Sequence, residues 1–301
     1  MDNMTSTGNS TPLPAMPSFR QVIRRVQRLP PTFLIGSVVL IFYLILALTG
    51  RYWAPYNATK TGTGPPFSPI SAKHWFGTDQ LGRDIFSRIV LGTDDVLFLS
   101  LSGTLIAMIL GVPLGLISGL VRGWFDEVFM RILDVIISIP LLILALLVIA
   151  AAGSQLSGNS FLLIGVIAVV YAPRIARMAR AVALNLVTSD FVTVARLRGE
   201  STLWIILHEL APNATGVILV EFGVRAGYAP ILIGSLGFLG FGVRPPTPEW
   251  GVMISENRIG IVTSPVTVIA PALALALLVI GLNLFTDGMA RILGRSTNQN
   301  P

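Results

Sequence analysis

The stretch VIISIPLLILALLVIAAAGSQLSGNSFLLIGVIAVVYAP, residues 135–173, contains no charged side chain between Asp134 and Arg174. A bilayer core of ~30 Å is crossed by ~20 helical residues, so this stretch is too long for one crossing and predicts two. Gly153-Ser154-Gln155 and Ser157-Gly158-Asn159 divide it, because glycine and small polar residues mark turns. Lipid offers no partner for backbone N–H and C=O groups, so each crossing must satisfy them internally as a helix. These two runs are read as spans three and four.

The rest of the chain has the same character. Of 301 residues, 53% are hydrophobic and 12% charged, with mean hydropathy +0.75. Soluble domains carry about 25% charged residues, so this chain has too little polar surface to cover a globule in water. Span one is read over 31–50, span two over 96–121, span five from Ala214 to Val243 and span six over 259–286. The first run is long for a signal-peptide core and no small-x-small site precedes Arg51, so it is expected to be retained. The expected organisation is a tail at 1–30, a span at 31–50, an external loop at 51–94, a five-helix core at 95–290 and a tail at 291–301.

Charge sets the orientation. With six spans, thirteen Lys and Arg fall on the side of the termini and seven on the other, with Arg225 inside span five. The positive-inside rule then places both termini in the cytoplasm and the 51–94 loop outside. The formal charge of +6 is read as these loops meeting anionic lipid rather than as a nucleic-acid footprint. Several chemistries are excluded. There is no cysteine, so no thiolate metal site or thiol nucleophile. His74 and His208 are far apart, and neither Lys60 nor Lys73 follows a glycine, so a phosphate-binding G-x-x-x-x-G-K-[ST] loop is absent. No catalytic, metal or cofactor site is expected.

Residues 190–213, DFVTVARLRGESTLWIILHELAPN, form an amphipathic segment between spans four and five. Phe191, Val194, Ala195 and Leu197 give one short apolar side, and Gly199 ends that helix. Ser201 is placed to cap a second helix with apolar positions Leu203, Ile206, Leu207 and Leu210. A rigid hairpin of this kind serves as a handle for a partner, with Val194, Ala195, Gly199, Glu200, Ser201 and Leu203 as its coupling residues; an amphipathic hairpin lying on lipid fits the same periodicity. Ala195, Gly199, Ile206, Leu207 and Pro212 resemble the Ala, Gly, Ile, Leu and Pro of the cytoplasmic EAA loop of binding-protein-dependent ABC permeases, with Thr193 and Val194 departing from its first two letters.

Three further stretches narrow the resemblance. HWFGTDQLGRDIFSRIVLG (74–92), RGWFDEVFMRILDVIISIP (122–140) and SLGFLGFGVRPPTPEWG (235–251) are similar to the dipeptide/oligopeptide/nickel branch, and to the second of its two permease subunits. The resemblance runs from about residue 25 to 293. It implies an all-α inner-membrane protein with the type I ABC importer permease fold. It also implies partners: a second permease subunit in a heterodimer, two ATP-binding subunits that hydrolyse the ATP, and an external substrate-binding protein. The substrate it implies is a di- or oligopeptide, with nickel, glutathione, opines or sugars as alternatives in the branch.

Two charged pairs complete the candidate sites. Glu221 and Arg225 lie four apart in span five, a favourable spacing for an ion pair. Charges in the membrane face each other or a water-filled cavity, so the pair is read as a pathway lining or as a structural pair. Arg83 and Asp84 are read as a docking edge for the external binding protein, or as part of a capped, solvated helix. A transporter driven by an ion gradient is the competing class; it requires intramembrane acids on broken helices, and Glu221 is the main candidate.

Overall fold

A computed structural model describes residues 29–153, 155–156 and 158–297. Most of the expected N-terminal tail, with Arg20, Arg24, Arg25 and Arg28, and the last residues of the C-terminal tail lie outside the described residues. The elements are α1 (Pro31–Trp53), α2 (Ile85–Val121), α3 (Gly123–Ser138), α4 (Leu141–Ala152), α5 (Ser160–Leu186), α6 (Asp190–Leu197), α7 (Thr202–Phe238), α8 (Trp250–Asn257) and α9 (Val266–Thr297). Five of these, α1, α2, α5, α7 and α9, are long and apolar enough to cross a membrane, and the bent pair α3 and α4 brings the number to six when it is counted as one span.

Four boundaries differ from the sequence reading, each for a local reason. The bend of 98° between α3 and α4 falls at Ile139-Pro140, because proline lacks an N–H and disfavours helix in the residue before it. Span three therefore starts at Gly123, inside the stretch read as a loop. α2 starts at Ile85, well before Asp94 and Asp95, because the Asp84 carboxylate caps it by accepting from the Ser87 N–H at 2.8 Å. Its 37 residues rise about 55 Å at ~1.5 Å each, more than the membrane core requires, so its first turns stand outside. α5 passes through Pro173 and carries Arg174, Arg177 and Arg180 as further helix. α7 begins at Thr202 rather than Ala214, with Ile206–Leu210 wound as a π-helical turn.

The core is built on α2 and α5. Half of the most apolar stretch of α2 and 56% of that of α5 are buried, against 17% for α1 and 22% for α9. In lipid, helices gain little from hiding apolar surface, so close approach at small residues does the packing. Gly111, Gly115 and Gly119 repeat every fourth residue of α2 and face Ile175, Ala179 and Ala183 of α5. A Cβ at Gly115 would stand 2.2 Å from the Ala176 carbonyl oxygen. Leu163, Ile167, Val170 and Tyr171 of α5 join Leu144 and Ile149 of α4 and Leu232, Ile233 and Leu236 of α7 in the main core. α1 lies outside, against α9, where Phe33 and Phe285 stack at 5.1 Å.

Ion pairs seat α3 on α5. Asp126 is buried, and its two carboxylate oxygens accept from Arg180 Nε and Nη2 while the Ser118 hydroxyl donates to the same carboxylate. Asp134 pairs with Arg177.

Candidate functional site

Three places gather the functional candidates: the hairpin at one end of the bundle, a cavity midway along it, and a charged cluster at the opposite end.

The hairpin turn is closed by its own backbone. Gly199 has φ +76°, the left-handed region that glycine enters without steric cost. The Glu200 N–H donates to the Ala195 carbonyl at 3.2 Å and the Gly199 N–H to the Arg196 carbonyl at 3.0 Å. This is the Schellman pattern, which satisfies carbonyls left open at a helix end. The Ser201 hydroxyl oxygen then accepts from the Trp204 N–H at 3.3 Å and starts α7. Arg198 lies over the Trp204 ring at 5.3 Å and within 3.8 Å of both Glu200 and Glu209.

The two faces of the hairpin differ sharply. Val192, Ala195, Ile205, Ile206 and Leu210 are buried against Leu116 and Leu120 of α2 and Ala179 and Ala183 of α5. On the other face Val194 (52%), Leu197 (83%), Leu203 (64%) and Leu207 (55%) stay exposed around the turn. Ala195 was expected among the coupling contacts. It is fully buried and instead seats the hairpin, because the inward stripe of α6 runs through Val192 and Ala195 rather than through Val194. Leu197 and Leu207 take its place on the outer face.

Midway along α7, Glu221 Oε1 accepts from Arg225 Nε at 2.6 Å. Arg225 also lies over the Tyr171 ring at 6.0 Å. It borders a cavity of about 410 Å³ whose other walls are Leu141 and Leu142 at the start of α4, Tyr171 of α5, and Tyr228, Ile231, Leu232 and Ser235 of α7. The break at Pro140 opens this space, since α4 turns away from the line of α3. Tyr171 and Tyr228 were not singled out in the sequence; nothing in their local spacing distinguishes them from core aromatics.

At the opposite end Arg83 and Asp84 are 2% and 1% exposed, which corrects their expected place on a docking edge. Their charge is consumed internally. Asp79 receives Arg83 and Arg88, and Glu256 of α8 receives the same two guanidiniums at 2.6 and 3.1 Å. Asp84 bonds His74 Nδ1 at 2.8 Å. Nearby, the Glu249 carboxylate caps α8 by accepting from the Gly251 and Val252 N–H groups at 2.7 and 2.9 Å. Burial pushes its pKa up to about 7, against the pull of those two bonds.

Five apolar helices long enough to cross a membrane, packed on one another, define a multi-pass membrane protein. Residues 111–299 match the family of binding-protein-dependent transport system inner membrane components, and the chain belongs to that family. It is 35% identical over 277 residues to the glutathione transport system permease protein GsiD of Pectobacterium atrosepticum, covering 90% of this chain and 89% of that one. It is 35% identical over 275 residues to the dipeptide transport system permease protein DppC of Alkalihalophilus pseudofirmus, covering 90% and 86%. GsiD of Escherichia coli O157:H7 is 37% identical over 260 residues, covering 84% and 83%. The chain is an inner-membrane permease subunit of an ABC importer, and the ion-coupled alternative is set aside.

Proposed function

We propose that this subunit forms one half of the pathway of an ATP-driven importer for di- or oligopeptides. The relatives named for glutathione and for dipeptides both support a small peptide as the solute. Its partners would be a second, related permease subunit, two ATP-binding subunits that carry out all ATP hydrolysis, and an external substrate-binding protein. Both termini and the hairpin face the cytoplasm in this reading, following the Lys and Arg excess.

The observation that carries the reading is that the hairpin and the cavity share one helix. α7 runs from Thr202, three residues past Gly199, to Phe238, and Arg225 lies on it. Exposed Val194, Leu197, Leu203 and Leu207 offer the ATP-binding subunit an apolar contact, with Glu200 and Ser201 at its edge. A push there tilts α7 and reshapes the cavity walls without a flexible link to absorb it. Alternating access then follows as a two-state rocking biased by nucleotide.

The test is a charge placed on the outer face. Leu203→Glu puts a carboxylate into the proposed apolar contact and leaves the buried face untouched. ATP hydrolysis by the assembled importer should lose its stimulation by the loaded binding protein, and uptake should fall at least tenfold. Unchanged uptake and stimulation would show that the ATP-binding subunit docks elsewhere.

A further inference from the structure

We propose that a pocket at the end of the bundle opposite the hairpin is where the external substrate-binding protein docks, seating an acidic side chain of that protein against Arg258; this rests on the reading of the chain as an importer subunit with that end outside. The pocket has a volume of about 580 Å³. Arg244 enters its wall from the segment after α7, Ser255, Glu256 and Arg258 from the end of α8, and Gln80 from the loop before α2. The backbone around it is fixed. The Gln80 N–H donates to the buried Asn257 Oδ1 at 3.2 Å, and the Arg244 N–H donates to the Gly158 carbonyl at 3.2 Å. A wall already held in place loses little freedom when a partner arrives.

Among the described residues Glu256 is the one acid of this lining, and its carboxylate is taken by Arg83 and Arg88. Asp79 matches the same two guanidiniums, so that quartet is neutral and has no acid to spare. Arg258 is exposed, and its Nη1 donates to the Ser255 hydroxyl at 3.1 Å. Among the described residues no ion pair joins Arg258 to a carboxylate. Guanidinium groups hold carboxylates through planar, charge-assisted hydrogen bonds, so an acid is the complementary group. A second observation favours a protein as its source. Ile259 in the lining is 72% exposed, and Ile261 and Val262 just beyond it are 50% and 89% exposed. They lie between α8 and α9, outside the helices that cross the membrane. A small solute needs no such apolar surface beside its site. Apolar side chains flanking an arginine are the make-up of a protein contact, in which charge sets approach and register. The binding protein is the soluble partner that meets this end in the proposed importer.

The test titrates the purified, solute-loaded binding protein of the same transport system onto the assembled importer in lipid nanodiscs. Arg258→Glu should raise Kd about tenfold, and Arg258→Lys should keep most of the affinity. Kd should rise more steeply with salt in wild type than in Arg258→Gln, a readout that a purely structural role for the arginine would not move. In a parallel preparation p-benzoylphenylalanine replaces Val262, and irradiation should join it to the binding protein. An affinity indifferent to Arg258→Glu would overturn this docking site while leaving the importer reading intact. A photo-adduct formed instead on the second permease subunit or on lipid would overturn it in the same way. A wild-type importer that binds no external binding protein in any nucleotide state would overturn the importer reading itself.

Discussion

Three helical glycines give a prediction whose sign changes with the space around each one. At Gly115 a methyl group would stand 2.2 Å from the Ala176 carbonyl oxygen and 2.7 Å from the Ala179 Cβ. Ordinary contact begins near 3.4 Å, so α2 and α5 must separate by about 1 Å, and the obstacle is backbone, which no rotamer change relieves. Overpacking of this kind costs about 1–3 kcal/mol. At Gly165 and Gly216 the same methyl would meet nothing within 4 Å, and replacing glycine by alanine in an open helix position gains up to ~1 kcal/mol. Gly115→Ala should therefore lower the thermal midpoint of the purified subunit by several degrees, on the order of 2–4 °C per kcal/mol. Gly165→Ala and Gly216→Ala should leave it unchanged or raise it. The assay is the fraction surviving as a single size-exclusion peak after heating in detergent. Adding Ala179→Gly to Gly115→Ala should not restore stability, because the carbonyl remains. A Gly115→Ala protein as stable as wild type would refute the close α2–α5 seam, and full rescue by Ala179→Gly would refute the assignment of the clash to backbone.

The hairpin turn gives a second expectation: Gly199→Ala meets no neighbour within 4 Å and suffers only the left-handed backbone, about 1–2 kcal/mol. Binding of the ATP-binding subunit, measured by co-purification titration, should weaken severalfold, and Gly199→Asn should weaken it less. Removing Arg180 as Arg180→Gln strands the buried Asp126 carboxylate and should cost about 2 kcal/mol, discounted because the arginine is partly exposed. Thermal melts should show Asp126→Asn added to it recovering more than half of that loss. Glu249 gives a pH dependence. Its carboxyl is raised to about 7 from 4.5, so its contribution is full below pH 4.5 and disappears as pH rises through about 7, on the order of 3 kcal/mol in all. Melting midpoints should fall between pH 5 and 8 in wild type and flatten in Glu249→Gln, which gives up one of the two cap bonds at every pH.

The membrane class was legible because hydropathy is a local property that survives without partners. The hairpin was legible for the same reason: Gly199 and Ser201 act on residues within a few positions of themselves. The bend at Pro140 was harder, since α3 and α4 are apolar on both sides of it and only the proline marks the break. Arg177 and Arg180 were read as ending a span because their partners, Asp134 and Asp126, lie more than forty residues away. The burial of Arg83 was hidden for a stronger reason, as one of its acids, Glu256, is separated by 173 residues. Side chains that meet across the bundle leave no periodic trace in one sequence. The inward turn of Ala195 was missed because a two-turn helix has too few positions to fix which stripe faces the core.

The quartet of Asp79, Arg83, Arg88 and Glu256 clamps the start of α2 to α8. Severing that clamp during each cycle would leave Glu256 without a cation and Asp79 alone against two guanidiniums, a toll too steep for a motion repeated with every molecule carried. In the proposed importer this end would instead travel as one solid plate, and the gate for the solute would open along its margin, where a second permease subunit would meet this one.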